Sequence, residues 1–132
     1  MKIKNLTLEL MVDDVNRSIE FYQKILGFTT FVKVPDNNPF FVIMKNNSIQ
    51  IMLYQRDKFV EEIPKFEKLK LGGSIVIYLE IVEVKKTFQE IKDNVKIIQK
   101  MHETNYGTLE FSFEDINSYV WMISEKIKPL NI

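Results

Sequence analysis

The segment Asp13–Phe28, DDVNRSIEFYQKILGF, carries the signals of a complete helix and decides how the chain folds. An aspartate at its start can accept hydrogen bonds from the first free backbone N–H groups, where negative charge also suits the helix dipole. Its apolar residues recur at helical spacing, at Val15, Ile19, Tyr22 and Leu26. Gly27 stands where a left-handed residue ends many helices. We therefore predict one amphipathic helix with a single face for burial.

A half-buried strand runs directly into this helix. Its apolar residues are Leu6, Leu8, Leu10 and Val12, and they alternate with Thr7, Glu9, Met11 and Asp13. The same strand and helix occur a second time, because Leu10–Ile25 aligns without a gap on Leu79–Asn94. Apolar and acidic positions coincide in the alignment, which places Asp14 on Glu83. This internal repeat predicts an α+β chain built from two βαβββ modules in tandem.

Short β-rich runs between turn signals complete each module. In the first module they are Phe28–Val34, Phe40–Lys45 and Ser48–Gln55. In the second, the strands Ser74–Val82, Val95–Met101, Thr108–Phe113 and Tyr119–Ser124 accompany a helix at Val84–Asp93. His102–Asn105 is predicted to be a turn, and the tail from Glu125 to be loosely held. The chain is thus one domain made of two modules, about residues 1–57 and 72–126.

A charged linker, residues 58–71, joins the modules and contains Pro64. Its apolar residues form only a partial stripe, made of Phe59, Val60, Ile63 and Phe66. We interpret the segment as a loop with a short helix. It is either a solvated connection or a flap over a ligand cavity.

Composition excludes several classes of protein. The 132 residues carry a formal net charge of zero, and no basic cluster marks a nucleic-acid surface. The chain contains no cysteine, so disulfides, thiolate metal sites and a cysteine nucleophile are excluded. The amino terminus alternates charged and apolar residues, and no apolar stretch is long enough to span a membrane. We expect a soluble cytoplasmic protein that binds neither nucleic acid nor a membrane.

Two parts of the sequence resemble the glyoxalase/bleomycin-resistance/extradiol-dioxygenase superfamily, whose fold is called the vicinal oxygen chelate fold. The first is VDDV, followed by NRSIEFY and KILGF, at residues 12–28. The second is Tyr106-Gly107, the strand Thr108–Phe113 and the EDINS segment, which resembles the family's aromatic-Gly and D-P-D-G-N segment. The resemblance implies two βαβββ modules whose sheets curl around a cleft. It does not by itself imply one activity.

Enzymes of this superfamily hold a divalent metal with His and carboxylate side chains on the first and last strand of each module. Carried onto this sequence, those positions fall on Thr7, on Gln50 or Met52, on Val76 and on Met122. None of these is a conventional ligand, and His102 is the only histidine. We therefore expect no metal and no cofactor, although Glu9, Glu80 and water could still hold an ion.

The family's other branch is similar to the bleomycin-resistance proteins, which are metal-independent dimers that sequester a drug with aromatic and acidic groups. The chain is closest in character to this branch. The resemblance implies a homodimer with a small-molecule ligand, antibiotic-like and aromatic or cationic. The candidate ligand-binding residues are Glu9, Met11, Gln50, Met52, Tyr54, Tyr78, Glu80, Tyr106 and Met122, with Thr7, Val76 and Val120 on the same side.

These residues also have alternative, purely structural roles, since methionines often fill cores and carboxylates often lie at a solvated rim. The second functional hypothesis is a lyase, an isomerase or a dioxygenase-type enzyme with an atypical or absent metal site, in which Glu9 or Glu80 acts as the base. The third is a structural or regulatory dimer without a ligand. His102 is expected to be a surface turn residue rather than a base.

Overall fold

The computed structural model describes residues 1–129, and the chain divides into two compact units, Met1–Leu71 and a second that begins at Gly72. The elements of the first unit are β1 (Leu8–Val12), α1 (Val15–Leu26), β2 (Thr29–Val34), β3 (Phe41–Asn46), β4 (Ile49–Gln55), α2 (Arg56–Glu62) and a 3₁₀ helix (Pro64–Phe66). The strands form one sheet in the order β1-β4-β3-β2. Only β1 and β4 are parallel within it.

The second unit repeats this arrangement. Its elements are β5 (Val76–Glu80), α3 (Val84–Ile91), β6 (Lys96–Glu103), β7 (Thr108–Glu114) and β8 (Val120–Lys126). The sheet order is β5-β8-β7-β6, with β5 parallel to β8 and the other pairs antiparallel. The predicted α+β fold of two tandem βαβββ modules is therefore confirmed.

The ends of α1 are fixed by the residues that the sequence marked. Asp14 accepts a hydrogen bond from the backbone N–H of Arg17 at 3.1 Å, and Gly27 adopts a left-handed φ of 69°. The Asn46 side chain adds a 2.9 Å bond to the carbonyl of Leu26. The buried face includes Ile25, whereas Leu26, which we predicted to be on that face, is only half-buried.

Some predicted boundaries differ from the structure. β1 begins at Leu8, so Thr7 precedes the strand. His102 lies within β6 rather than in a turn, because the strand continues to Glu103 while it pairs with β7. Part of the tail from Glu125 belongs to β8, which ends at Lys126, and residues 130–132 lie outside the described residues.

Each sheet has a fully buried face and a second face, which we call the distal face. The buried face of the first sheet contains Leu10, Val12, Val42, Met44, Ile51 and Leu53. In the second sheet it contains Ile77, Phe111, Phe113, Trp121 and Ile123, and the Phe88 ring of α3 contacts Phe111 with centroids 5.0 Å apart. Because side chains alternate along a strand, the intervening residues form the distal faces.

The segment that we predicted to be a linker begins within α2 and packs on the first unit. Phe59 is only 5% exposed and its ring meets the rings of Tyr54 and Phe66 edge-on, at 5.6 and 5.0 Å. Arg56 forms a 2.7 Å ion pair with Asp13. Residues 58–71 therefore belong to the first compact unit.

Candidate functional site

The distal face of the second sheet contains a buried carboxylate, Glu110, in the middle of β7. Its burial follows from the alternation TLEFSFE at residues 108–114, in which Phe111 and Phe113 take the buried face and Thr108, Glu110 and Ser112 take the distal face. Glu110 is only 1% exposed. A carboxylate at this depth needs hydrogen-bond donors, because burying an unpaired charge is costly.

Hydroxyl groups supply those donors. The Tyr78 hydroxyl donates to Glu110 Oε2 at 2.5 Å, and Thr108 Oγ1 donates to the same oxygen at 2.9 Å. The Tyr106 hydroxyl donates to Oε1 at 3.0 Å. Ser124 Oγ lies 2.9 Å from the Tyr78 hydroxyl, which joins β8 to the network. We call Glu110, Tyr78, Tyr106, Thr108 and Ser124 the Glu110 network.

The network shifts the pKa values of its members in opposite directions. Burial alone would raise the pKa of Glu110, but hydrogen bonds from Tyr78, Thr108 and Tyr106 outweigh burial and lower it. Burial and the bond to Glu110 raise the pKa of Tyr78, and the bond to Glu110 raises that of Tyr106. Glu110 is thus ionised at neutral pH and the phenols stay protonated. This is the state of a fixed charge with oriented donors rather than of an acid–base pair.

The Glu110 network lies beneath an accessible surface. Tyr78 is 52% exposed, and Met122, its neighbour on β8, is half-buried. Glu80 forms a 3.3 Å ion pair with Lys126, and both side chains are more than half exposed. A ligand on this face would therefore meet the phenols and Met122 first, with Glu80 at the rim.

The distal face of the first sheet is aromatic and thioether-rich. The register pairs Glu9 with Met52 and Met11 with Tyr54, and Gln50 lies on the same side of β4. Tyr54 contacts the rings of Phe40, Phe41 and Phe59, with centroids 6.2, 5.4 and 5.6 Å away. α2 therefore caps one end of this face.

Acidic groups meet at the capped end. Burial raises the pKa of Glu9, and repulsion from Glu62 of α2 raises it further. A hydrogen bond to Glu62 raises the pKa of Tyr54, and burial adds to this. Glu9 is consequently protonated more easily than a glutamate in water.

The predicted ligand-binding residues form two groups, one in each unit. The first group is Glu9, Met11, Gln50, Met52 and Tyr54, and the second is Tyr78, Glu80, Tyr106 and Met122. Sequence reasoning missed Glu110, Thr108 and Ser124. The alternation within residues 108–114 places Glu110 on the same side as Tyr78 once β5, β8 and β7 are known to be neighbours, so the signal was present but needed the strand order.

The positions that carry a metal in enzymes of this fold do not fit one here. Thr7, Gln50, Met52, Val76 and Met122 provide no imidazole and no carboxylate. Within residues 1–129, no three His, Asp or Glu side chains are grouped so that they could hold an ion. His102 is exposed, and its Nδ1 lies 2.8 Å from the carbonyl oxygen of Lys100.

Comparisons with known proteins agree with this fold. The model of the Glyoxalase/Bleomycin resistance protein/Dioxygenase superfamily matches residues 4–123. No curated protein matches the chain. None of the helices in residues 1–129 has the length and apolar character needed to cross a membrane.

Solved structures with similar folds share little sequence with the chain. A protein of unknown function from Agrobacterium tumefaciens is 22% identical, with a TM-score of 0.79 and 96% of each chain covered. A glyoxalase/bleomycin resistance protein/dioxygenase from Nocardioides is 16% identical, with a TM-score of 0.80, covering 100% of this chain and 91% of its own. The fosfomycin resistance protein FosX from Listeria monocytogenes is 16% identical, with a TM-score of 0.71 and coverage of 95% and 94%. At these identities the likeness concerns the fold alone.

Proposed function

The chain belongs to the Glyoxalase/Bleomycin resistance protein/Dioxygenase superfamily, and we propose that within it the protein is a metal-independent binder of a small molecule. The proposed ligand is antibiotic-like and either aromatic or cationic. The observation that carries the proposal is the Glu110 network, in which a buried carboxylate orients the phenol of the half-exposed Tyr78.

The chemistry of the network supports binding rather than turnover. A general acid or base works best when its pKa lies near the working pH. The pKa of Glu110 is lowered and that of Tyr78 is raised, so both move away from neutrality. Such an array holds its hydrogen-bond pattern across a wide pH range, as a recognition surface requires.

The first distal face supports an aromatic ligand. Met52 and Tyr54 are both half-buried and lie two residues apart on β4, on the same side of the sheet. Thioether and aromatic surfaces adapt to flat apolar groups. The rings of Phe40, Phe41 and Phe59 already contact Tyr54, so the ligand would lie on the part of this face around Met52.

We extend the proposal to antibiotic sequestration by a cytoplasmic homodimer. Each sheet ends on strands that lack a second neighbour within their own sheet, β1 and β2 in one and β5 and β6 in the other. Such edges favour pairing or coverage by another surface, and a second copy of the chain is a common solution.

A second candidate function is an enzyme of the same superfamily with Glu9 as the base. Its support is the raised pKa of Glu9, which burial and the nearby Glu62 bring toward the working range of a general base. The Glu9→Gln substitution separates the candidates. It should abolish turnover in an enzyme but only weaken binding in a sequestering protein, with the exposed Glu20→Gln as the matched control.

The test of the proposed function is thermal unfolding of the purified protein across a panel of aromatic and cationic antibiotics, glutathione adducts and divalent metals. A ligand at about a hundred times its dissociation constant adds roughly 2.7 kcal/mol, which raises the midpoint by several degrees. We expect a saturable shift with at least one antibiotic and none with metals. A saturable shift with Ni²⁺, Zn²⁺ or Fe²⁺ and none with antibiotics would overturn the proposal.

A further inference from the structure

We propose that Tyr78 and Tyr106, held and polarised by the buried Glu110, form a binding site for an organic ammonium group. The inference builds on the proposed function, because it assigns the cationic part of the ligand to one face of the second unit. It names residues that the family's metal positions do not include.

The first argument is the charge balance around Glu110. Among residues 1–129, Glu110 has no ion-pair partner, whereas two lysines of the same sheet pair with other carboxylates. Lys126 pairs with Glu80, and Lys96 pairs with Glu114 at 3.0 Å. Glu110 is therefore a buried negative charge stabilised by neutral hydroxyl donors, and it leaves a negative potential at the surface above it.

His102 is a basic residue on the strand next to Glu110. The two residues are cross-strand partners in the β6–β7 register. However, the described hydrogen bonds join His102 to Lys100 rather than to Glu110. It does not neutralise the carboxylate through a direct hydrogen bond.

The second argument is the electron density of the Tyr78 and Tyr106 rings. A phenol that donates to a carboxylate gains electron density, because hydrogen bonds in a low-dielectric site polarise one another. Both Tyr78 and Tyr106 donate to Glu110, at 2.5 and 3.0 Å. Electron-rich rings attract a cation to their faces, and the anion behind them adds to this attraction.

The third argument concerns which cation fits. Glu110 is 1% exposed and three hydroxyls already occupy its oxygens, so a metal ion cannot reach the carboxylate directly. An alkylated ammonium needs no direct oxygen ligand and binds through ring faces and electrostatics. The accessible surface offered by Tyr78, which is 52% exposed, suits such a group.

The test is an NMR titration of the full chain that follows the ring signals of Tyr78 and Tyr106. The probes are choline and 3,3-dimethylbutan-1-ol, which have nearly the same shape but differ in charge. We expect choline to shift both rings saturably and to bind at least about tenfold more tightly than the neutral alcohol. Glu110→Gln should weaken choline binding by about tenfold and leave the alcohol nearly unchanged.

Two further variants keep the test decisive. Glu114→Gln removes a carboxylate from the same strand that is already paired with Lys96, and it should leave choline binding unchanged. If Glu110→Gln unfolds, Tyr78→Phe keeps the ring and loses the bond to Glu110, and we expect it to weaken choline binding severalfold.

The outcomes separate this inference from the proposed function. If choline fails to bind, or binds no better than the alcohol, while a neutral aromatic compound raises the unfolding midpoint, the ammonium site is wrong and the proposed function survives. If neither choline nor any antibiotic of the panel binds, both are wrong. Equal choline binding by wild type and Glu110→Gln would also overturn the ammonium site.

Discussion

The two modules share one arrangement of strands and helix, but equivalent positions on their distal faces carry residues of opposite character, aromatic in one and polar in the other. The repeat aligns Met11 with Glu80, and these residues pair with Tyr54 and Ser124. Across the next strand, Tyr54 pairs with Phe41 and Ser124 pairs with Glu110. One module therefore places an aromatic pair where the other places a carboxylate and a hydroxyl.

The difference shows that the fold constrains the buried face of each sheet much more than the distal face. Phe113 and Trp121 pair on the buried face of the second sheet, as Val42 and Leu53 do in the first, and all four are fully buried. The distal faces are free to diverge because each needs only its own partners. In the first module these are aromatic rings, including that of Phe59 in α2, and in the second they are hydroxyls. We therefore expect the functional residues of each module to lie on its distal face.

The largest expected effect comes from breaking the aromatic cap of the first module. Phe59→Ala should lower the free energy of unfolding by about 3 kcal/mol, because a nearly buried phenylalanine leaves a cavity against Tyr54 and Phe66. Urea unfolding measures the loss. Phe66→Ala, at a half-buried position, is the matched control and should cost less. Equal and small losses would mean that α2 does not stabilise this face.

The Glu110→Gln substitution tests the Glu110 network, which is the polar counterpart, in the second module, of the aromatic cap in the first. We expect a loss of about 2 kcal/mol at neutral pH, because the amide is a weaker acceptor and brings donors without partners. Since the pKa of Glu110 is lowered by folding, its ionised form stabilises the fold above its usual value of 4.5, and this stabilisation is lost as pH falls through the folded pKa.

The stability difference between wild type and Glu110→Gln should therefore shrink below about pH 4.5. Urea midpoints measured across the acid range check this prediction. A constant difference at every pH would mean that Glu110 is not ionised in the folded protein.

The side chains that cap the first residues of α1 and α3 provide a smaller test of the comparison between the two modules. The last strand of each module sends a side chain to the start of that module's own helix, α1 or α3. Gln55 Oε1 accepts from the N–H of Val15, and the Glu125 carboxylate accepts from those of Glu83 and Val84. Glu125→Ala should cost about 1 kcal/mol, because the charged group also meets the helix dipole.

Two substitutions calibrate that value. Glu125→Gln, which copies the first module, should cost about half as much as Glu125→Ala, and Gln55→Ala should cost less than Glu125→Ala because Asp14 still caps α1. Thermal unfolding at low salt measures all of them. A larger loss for Gln55→Ala would show that the helix dipole is not the deciding factor.

The smallest expected effect lies in the turns before the last strands. The left-handed residue is Asn47 in the first module and Ser118 in the second, with φ values of 52° and 68°. Asparagine and glycine adopt this conformation at lower cost than serine. Ser118→Gly should therefore stabilise the protein by about 0.5 kcal/mol in thermal unfolding. A destabilisation would mean that the Ser118 side chain makes a contact that outweighs its backbone strain.

The parts predicted best from the sequence were those specified by local signals. The cap at Asp14, the left-handed Gly27 and the repeat at Val84 identified both strand–helix units. Residue alternation also placed Tyr54 and Tyr78 on the distal faces. Local chemistry sufficed because each of these features depends on neighbours within a few positions.

The parts that were missed depend on contacts distant in sequence. The sequence around Glu110 is that of a surface carboxylate, because its hydrogen-bond donor Tyr78 lies in another strand. The sequence predicted a short helix and a partial apolar stripe after β4, but the contact of Phe59 with Tyr54 depends on how this segment packs on the sheet. Neither contact can be identified from the sequence without knowing which elements are neighbours.

The most direct test of the central claim is a calorimetric titration of benzyltrimethylammonium into EDTA-treated wild-type protein and into Glu110→Gln. This probe combines an aromatic ring with the ammonium group that the Glu110 network is proposed to bind. We predict saturable binding by the metal-depleted wild type and binding about tenfold weaker by the variant. Binding that appears only after Ni²⁺, Zn²⁺ or Fe²⁺ is added back, or that is equal in the two proteins, would contradict a metal-independent site on the second module.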